Sequence, residues 1–148
     1  TSVKLFPRLW DTLRIMQGTP NLAALRAAEA VLAQDGVLGI FPEGHIHKPP
    51  LGTPLPGAAF MALRLGVPIL PIGTFSEDDW NIFGTLREKG RKTRVVSRIG
   101  TPFGPLAIGE PGKLPGRDEV KAAGQVIMEK IASLLPASAR GPYTADLS

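Results

Sequence analysis

Two short runs set the strongest limit on this fold: VLGIF at residues 37–41 and VPILPIG at 67–73. Each is apolar on both faces, the pattern of a strand inside a sheet covered from both sides. Between them lies one helix-length segment, AAFMALRL at 58–65, closed by Gly66. Strand, helix, strand is the βαβ order, which predicts a parallel pair with a right-handed crossover. Pro42 cannot donate to a ladder, so the first strand should stop at Phe41.

The flanks extend this pattern. LAALRAAEAVLAQD follows Pro20-Asn21 and is rich in helix formers, with Asn21 as N-cap. Leu22, Leu25, Ala28 and Leu32 recur at helical spacing, and Gly36 stands where a helix end favours a left-handed residue. RVVSRI at 94–99 reads as a third strand, half-buried by its alternation. Asp118 to Leu135 reads as a final amphipathic helix, weakened at Gly124. The tail from Pro136 to Ser148 is expected to be loose. Residues 1–20 form either one helix or two irregular pieces. The expected architecture is α/β: a mixed, largely parallel central sheet covered by helices, in one domain spanning 1–148.

Composition narrows the function classes. An apolar fraction of 43% with 20% charged residues is globular rather than disordered. No run approaches the length of a membrane-spanning helix, and TSVKLFPRLW lacks the layout of a signal peptide. With no cysteine there is no disulfide, thiolate catalysis or cysteine zinc site, which fits a cytoplasmic location. A net charge of +4 favours anionic partners such as phosphates, coenzyme A or an acidic membrane surface. No nucleic-acid motif appears, so nucleic acid is not an expected partner.

The chemistry concentrates in GIFPEGHIHKPP, residues 39–50, which holds both histidines of the chain. In open α/β sheets ligands gather at the carboxyl ends of strands, and Phe41-Pro42-Glu43-Gly44 falls at such an end. A carboxylate there binds a hydroxyl or orients a cation. Gly44 permits close backbone approach, and turn N–H groups bind anions. The plain alternative is a strand-ending turn with solvated histidines. His45 and His47 would need a third ligand to hold a metal, and no other histidine or cysteine exists, so no metal site is expected.

IFPEG followed by VPILPI resembles the glycerophospholipid acyltransferase superfamily, typified by 1-acylglycerol-3-phosphate acyltransferase. That family carries a Phe-Pro-Glu-Gly block and a later Val-Pro-Ile-Val-Pro block in this order. LAQDG before the first block, Gly57-Ala58-Ala59 opening the intervening helix, VVSRIGTPF and the final SLLP also match. The resemblance covers nearly everything from about residue 13. It implies transfer of a fatty acyl group from acyl-CoA or acyl carrier protein, as co-substrate and with no further cofactor, to a hydroxyl of a glycerophospholipid or lysophospholipid acceptor. It also implies peripheral contact with the inner face of a membrane. Glu43 and Gly44 inherit the acceptor-binding role.

Three departures qualify it. The family's His-x4-Asp, whose histidine takes the hydroxyl proton, is absent, and in the family it precedes everything seen here. On that resemblance the domain is N-terminally incomplete, with no catalytic residue in this chain. The family's Thr-Arg-Ser after the block is His45-Ile46-His47, and its upstream arginine falls at Gln17, with Arg14 nearby. Losing two arginines removes bidentate phosphate donors. Either the acceptor is not a simple phosphomonoester, or His47 and Arg14 partly compensate; His45 and His47 could instead bind a hydroxylated headgroup. The expected binding set is therefore Glu43, Gly44, His45, His47 and Arg14.

Other features keep two readings. Arg87, Lys89, Arg91, Lys92 and Arg94 form either a solvated loop or a contact for coenzyme A phosphates or anionic lipid. Trp10, Leu13 and Trp80 are core or interfacial anchors. The competing functions are a non-catalytic α/β module that binds phosphate or lipid, and a hydrolase using Ser76 or Ser97. Neither serine sits in a Gly-x-Ser-x-Gly elbow.

Overall fold

The computed structural model describes residues 22–44, 49–76, 90, 93–108 and 113–143. The chain divides into two compact units, Thr1–Gly39 and Ile40–Ser148. Its class is α/β, with helices and a two-stranded antiparallel sheet.

In the first unit the alanine-rich segment forms α1, Leu22–Leu32. Its end differs from the expectation in an instructive way. Asp35, not Gly36, takes the left-handed conformation, at φ 56°. Asp35 N–H then donates to Leu32 O at 3.2 Å and Gly36 N–H to Val31 O at 3.0 Å. These are the two bonds of a Schellman end. Gly36 is needed for space instead: a Cβ there would stand 2.6 Å from Val31 O.

The second unit is built on two helices. α2, Pro56–Leu65, starts with proline, whose missing N–H costs nothing in the first turn. It ends at Gly66, left-handed at φ 59°, whose N–H reaches Ala62 O. α3, Arg117–Ala132, opens with Glu119 Oε2 accepting the Gly116 N–H at 2.7 Å. Asp118 and Glu119 in its first turn and Lys130 in its last oppose the ends of the helix dipole. The α2–α3 core holds Ala59, Ala62, Val120, Ala123 and Ile127, flanked by Phe60, Leu63, Ile69 and Phe103. Small residues let the helices approach: a Cβ on Gly124 would lie 3.4 Å from Pro54 and 3.8 Å from Ala59.

β1, Ile72–Ser76, pairs antiparallel with β2, Val95–Ile99, in the register Ile72↔Ile99, Thr74↔Ser97 and Ser76↔Val95. An isolated bridge, Ile69↔Phe103, continues the ribbon. The strand expected at 67–73 thus begins regular pairing only at Ile72. Pro68 and Pro71 have no N–H to donate, so the ladder between them shrinks to that one bridge. The sheet rests on the end of α3. A Cβ on Gly73 would stand 2.9 Å from Leu134 Cβ, and Arg98 lies over the Phe75 ring at 4.9 Å while donating to Leu134 O at 3.1 Å.

The parallel pair expected between 37–41 and 67–73 is not shown: the single ladder among the described residues is antiparallel. Residues 37–41 carry no strand, and Val37 is 91% and Phe41 65% exposed. An apolar pattern specifies that a segment is to be covered; it does not name the partner strand. The tail expected to be loose from Pro136 carries structure as far as Tyr143. A 3₁₀ turn at Ala137–Ala139 follows α3, and Ala139 and Tyr143 are buried with Leu135, Met128 and Ala132 nearby. Residues 144–148 lie outside the described set.

Candidate functional site

The Glu-Gly corner is a tight turn. Gly44 N–H donates to Phe41 O at 2.9 Å, and Gly44 is left-handed at φ 76°, a conformation that favours glycine. Pro42 O accepts the Leu55 N–H at 2.8 Å, which fastens the turn to the residue preceding α2. Glu43 is half-buried, and its Oε1 accepts the Gly52 N–H at 2.5 Å.

The loop on the other side of that bond is held as well. Tyr143 Oη donates to Gly52 O at 3.1 Å, and Leu51 N–H donates to Ala139 O at 2.9 Å. Burial raises the Tyr143 phenol above its ordinary pKa. The negative charge of Glu43, and then of Glu129, raises it further. Glu43, Gly52 and Tyr143 therefore form one cluster, with Glu129 of α3 acting on it electrostatically.

Of the expected binding residues, Glu43 and Gly44 are placed at this corner. His45, His47 and Arg14 lie outside the described residues, as do Arg87, Lys89, Arg91, Lys92, Trp10, Leu13 and Trp80. Arg94 is exposed, immediately before β2, and its carbonyl accepts from Ser76 Oγ at 3.2 Å. Ser97 Oγ lies 3.0 Å from Thr74 Oγ1 on the exposed side of the ribbon. Among the described residues no group of three or more potential metal ligands occurs, and no helix is long and apolar enough to cross a membrane.

Gly52, Tyr143 and Glu129 were not picked out by sequence reasoning. Gly52 sits in a Pro/Gly-rich loop, where one more glycine carries no signal. Tyr143 is 91 positions further along the chain. Its being the single tyrosine is a mark without a meaning until the fold brings it to the loop.

Elsewhere, a depression of about 270 Å³ opens between the ribbon and the end of α3, lined by Pro71, Gly100, Thr101, Lys130, Ser133 and Leu134. Ser133 Oγ donates to Lys130 O, a helix-end bond, and Lys130 Nζ stands 5.9 Å from the Phe103 ring. Neither Glu43 nor Gly44 is among the described residues that line it. No protein-family model, no curated protein and no solved structure matches the chain.

Proposed function

We propose that this chain is part of an acyltransferase of the glycerophospholipid type, in which the corner at Glu43 and Gly44 forms the acceptor side of the site. The observation that carries the reading is local. Phe41-Pro42-Glu43-Gly44 folds into a fixed turn with a half-buried carboxylate and a left-handed glycine. A carboxylate held this way suits recognition of a hydroxyl. The larger fold that goes with the reading is a largely parallel sheet containing residues 37–41. The run VLGIF supports it, because a segment apolar on both faces has the pattern of a strand covered from both sides.

In this chemistry the acceptor hydroxyl oxygen attacks the thioester carbonyl of acyl-CoA or acyl carrier protein. The hydroxyl proton passes to a histidine, the carbon–sulfur bond breaks, and the thiol leaves with a proton. The base must be oriented by a third group. Residues 1–148 contain no His-x4-Asp to supply both. The contribution assigned to this chain is binding and placement of the acceptor, at a peripheral membrane surface on the cytoplasmic side.

One observation favours a second reading, a non-catalytic phosphate- or lipid-binding module. The Glu43 carboxylate holds a backbone N–H of its own fold, which a purely structural turn would also do.

The test is release of free coenzyme A from acyl-CoA with lysophospholipid and other hydroxylated acceptors. The 148-residue chain is expected to bind acyl-CoA or lipid weakly and to turn over near background, since general-base catalysis supplies about 10²–10⁴-fold. A longer product of the gene bearing His-x4-Asp is expected to turn over, and Glu43→Gln in it to lower turnover. Robust turnover by the 148-residue chain, abolished by His45→Ala or His47→Ala, would make one of those histidines the base and overturn this account. Absence of turnover in a longer product bearing the motif would favour the binding module.

A further inference from the structure

Residues 136–143 lie as a strap across residues 51–52. Three consecutive peptide units of that loop are each held by a different residue, two of them in the strap. The N–H of Leu51 is bound by Ala139 O, the N–H of Gly52 by Glu43 Oε1, and the carbonyl of Gly52 by Tyr143 Oη. Leu51 adds its side chain to both small clusters under the strap, beside Phe75, Leu135 and Ala139 and beside Met128, Ala132 and Tyr143. Gly141 is left-handed at φ 59° and passes so close to the Leu51 carbonyl that a Cβ would overlap it. The strap is thus docked by geometry that tolerates no side chain at its closest point.

Glycine has the widest backbone freedom of any residue, so a glycine N–H makes a poor anchor for a carboxylate unless both its peptides are fixed. Here the strap does the fixing. We propose that Tyr143 is a positioning residue for the Glu-Gly corner: by holding the Gly52 carbonyl it keeps the Gly52 N–H turned toward Glu43 and so sets where that carboxylate sits. The role is independent of whether the corner serves acyl transfer or binding alone.

The test uses the 148-residue chain without any lipid or acyl donor, so it succeeds or fails separately from the functional reading. Tyr143→Phe keeps the ring in its cluster and deletes only the hydroxyl. Amide hydrogen exchange should then accelerate about threefold to tenfold at Gly52, the worth of one net hydrogen bond. The bridge amides of Ile69 and Phe103 should keep their parental rates. A second measurement reads the link from the other side. The chain has one tyrosine, so the ultraviolet phenolate absorbance titrates Tyr143 alone. Glu43→Gln removes a charge that disfavours the phenolate and should move that titration to lower pH. Unchanged exchange at Gly52 in Tyr143→Phe, or equal acceleration at Ile69 and Phe103, would reduce the tyrosine to a packing residue. A titration unmoved by Glu43→Gln would show that the two groups do not meet in solution.

Discussion

Gly141→Ala offers a sharp test of the strap. Two costs act at one position. An alanine held left-handed loses about 1–2 kcal/mol. Its Cβ would also overlap the Leu51 carbonyl oxygen, which is backbone and has no rotamer to give way. The chain can escape the overlap by undocking the strap, so undocking sets an upper limit on the damage. Undocking loses two hydrogen bonds, Leu51 N–Ala139 O and Tyr143 Oη–Gly52 O, at about 1 kcal/mol each. It also exposes Tyr143, now 6% accessible, at about 1.5–3 kcal/mol for a large ring. The expected destabilisation is therefore about 3–5 kcal/mol, a large share of a typical domain's stability. Urea unfolding followed by tryptophan fluorescence would measure it. A double-mutant cycle with Tyr143→Ala carries the logic further. If Gly141→Ala has already freed the strap, removing the ring as well should add little, so the two costs should fall short of additivity by about 2 kcal/mol or more. Costs that add within about 0.5 kcal/mol, or a Gly141→Ala chain as stable as the parent, would refute the docked strap.

Gly124→Ala should act in the opposite direction. It lies inside α3, its new Cβ would meet Pro54 and Ala59 only at ordinary contact distance, and alanine gains about 1 kcal/mol of helix propensity, readable as a higher urea midpoint. The stability of the parent chain should also fall more steeply above pH 10 than that of Tyr143→Phe. The folded phenol has its pKa raised by burial, then by Glu43 and Glu129, so the folded state holds the proton more tightly than the unfolded one. That contribution is complete below the unfolded value of about 10 and is lost as pH rises through the folded value. Parallel alkaline profiles for the two chains would contradict it.

How far the sequence revealed this structure depended on the reach of each signal. α1, α2 and α3 were legible because their signals lie within one segment: Gly66 closing α2, and Val120 and Ile127 on the buried face of α3; that α2 starts as early as Pro56 was not. Val95–Ile99 was legible as a strand from its β-branched residues, but its burial does not alternate as expected: only Val96 is half-buried. The other strand was displaced because VPILPIG looks more strand-like than IGTFS by hydropathy, while two prolines deny it the ladder. At residues 37–41 apolarity alone suggested a sheet interior, and the partner it needs was never encoded in the run itself. The corner was visible as a local block. What holds it was not visible, because Gly52 and Tyr143 meet only through the packing of α3 and the turn after it.

That long reach decides when the corner can become ordered. Closing a loop costs free energy that grows with the logarithm of its length. The Glu43–Gly52 bond spans 9 positions and the Tyr143–Gly52 bond spans 91, a difference of about 2 kcal/mol in closure cost. One hydrogen bond, worth about 1 kcal/mol net, cannot offset that difference alone. Tyr143 reaches Gly52 only because α3 is already packed on α2 through Ala123 and Ile127, and because Leu51, Met128 and Ala132 hold the ring. The short bond to Glu43 can form early but leaves a freely rotating glycine. Its geometry is fixed only after the helices have docked and the strap has closed. The carboxylate at the corner is thus tied to the folding of the second unit as a whole, although the turn that presents it needs only the four residues Phe41 to Gly44.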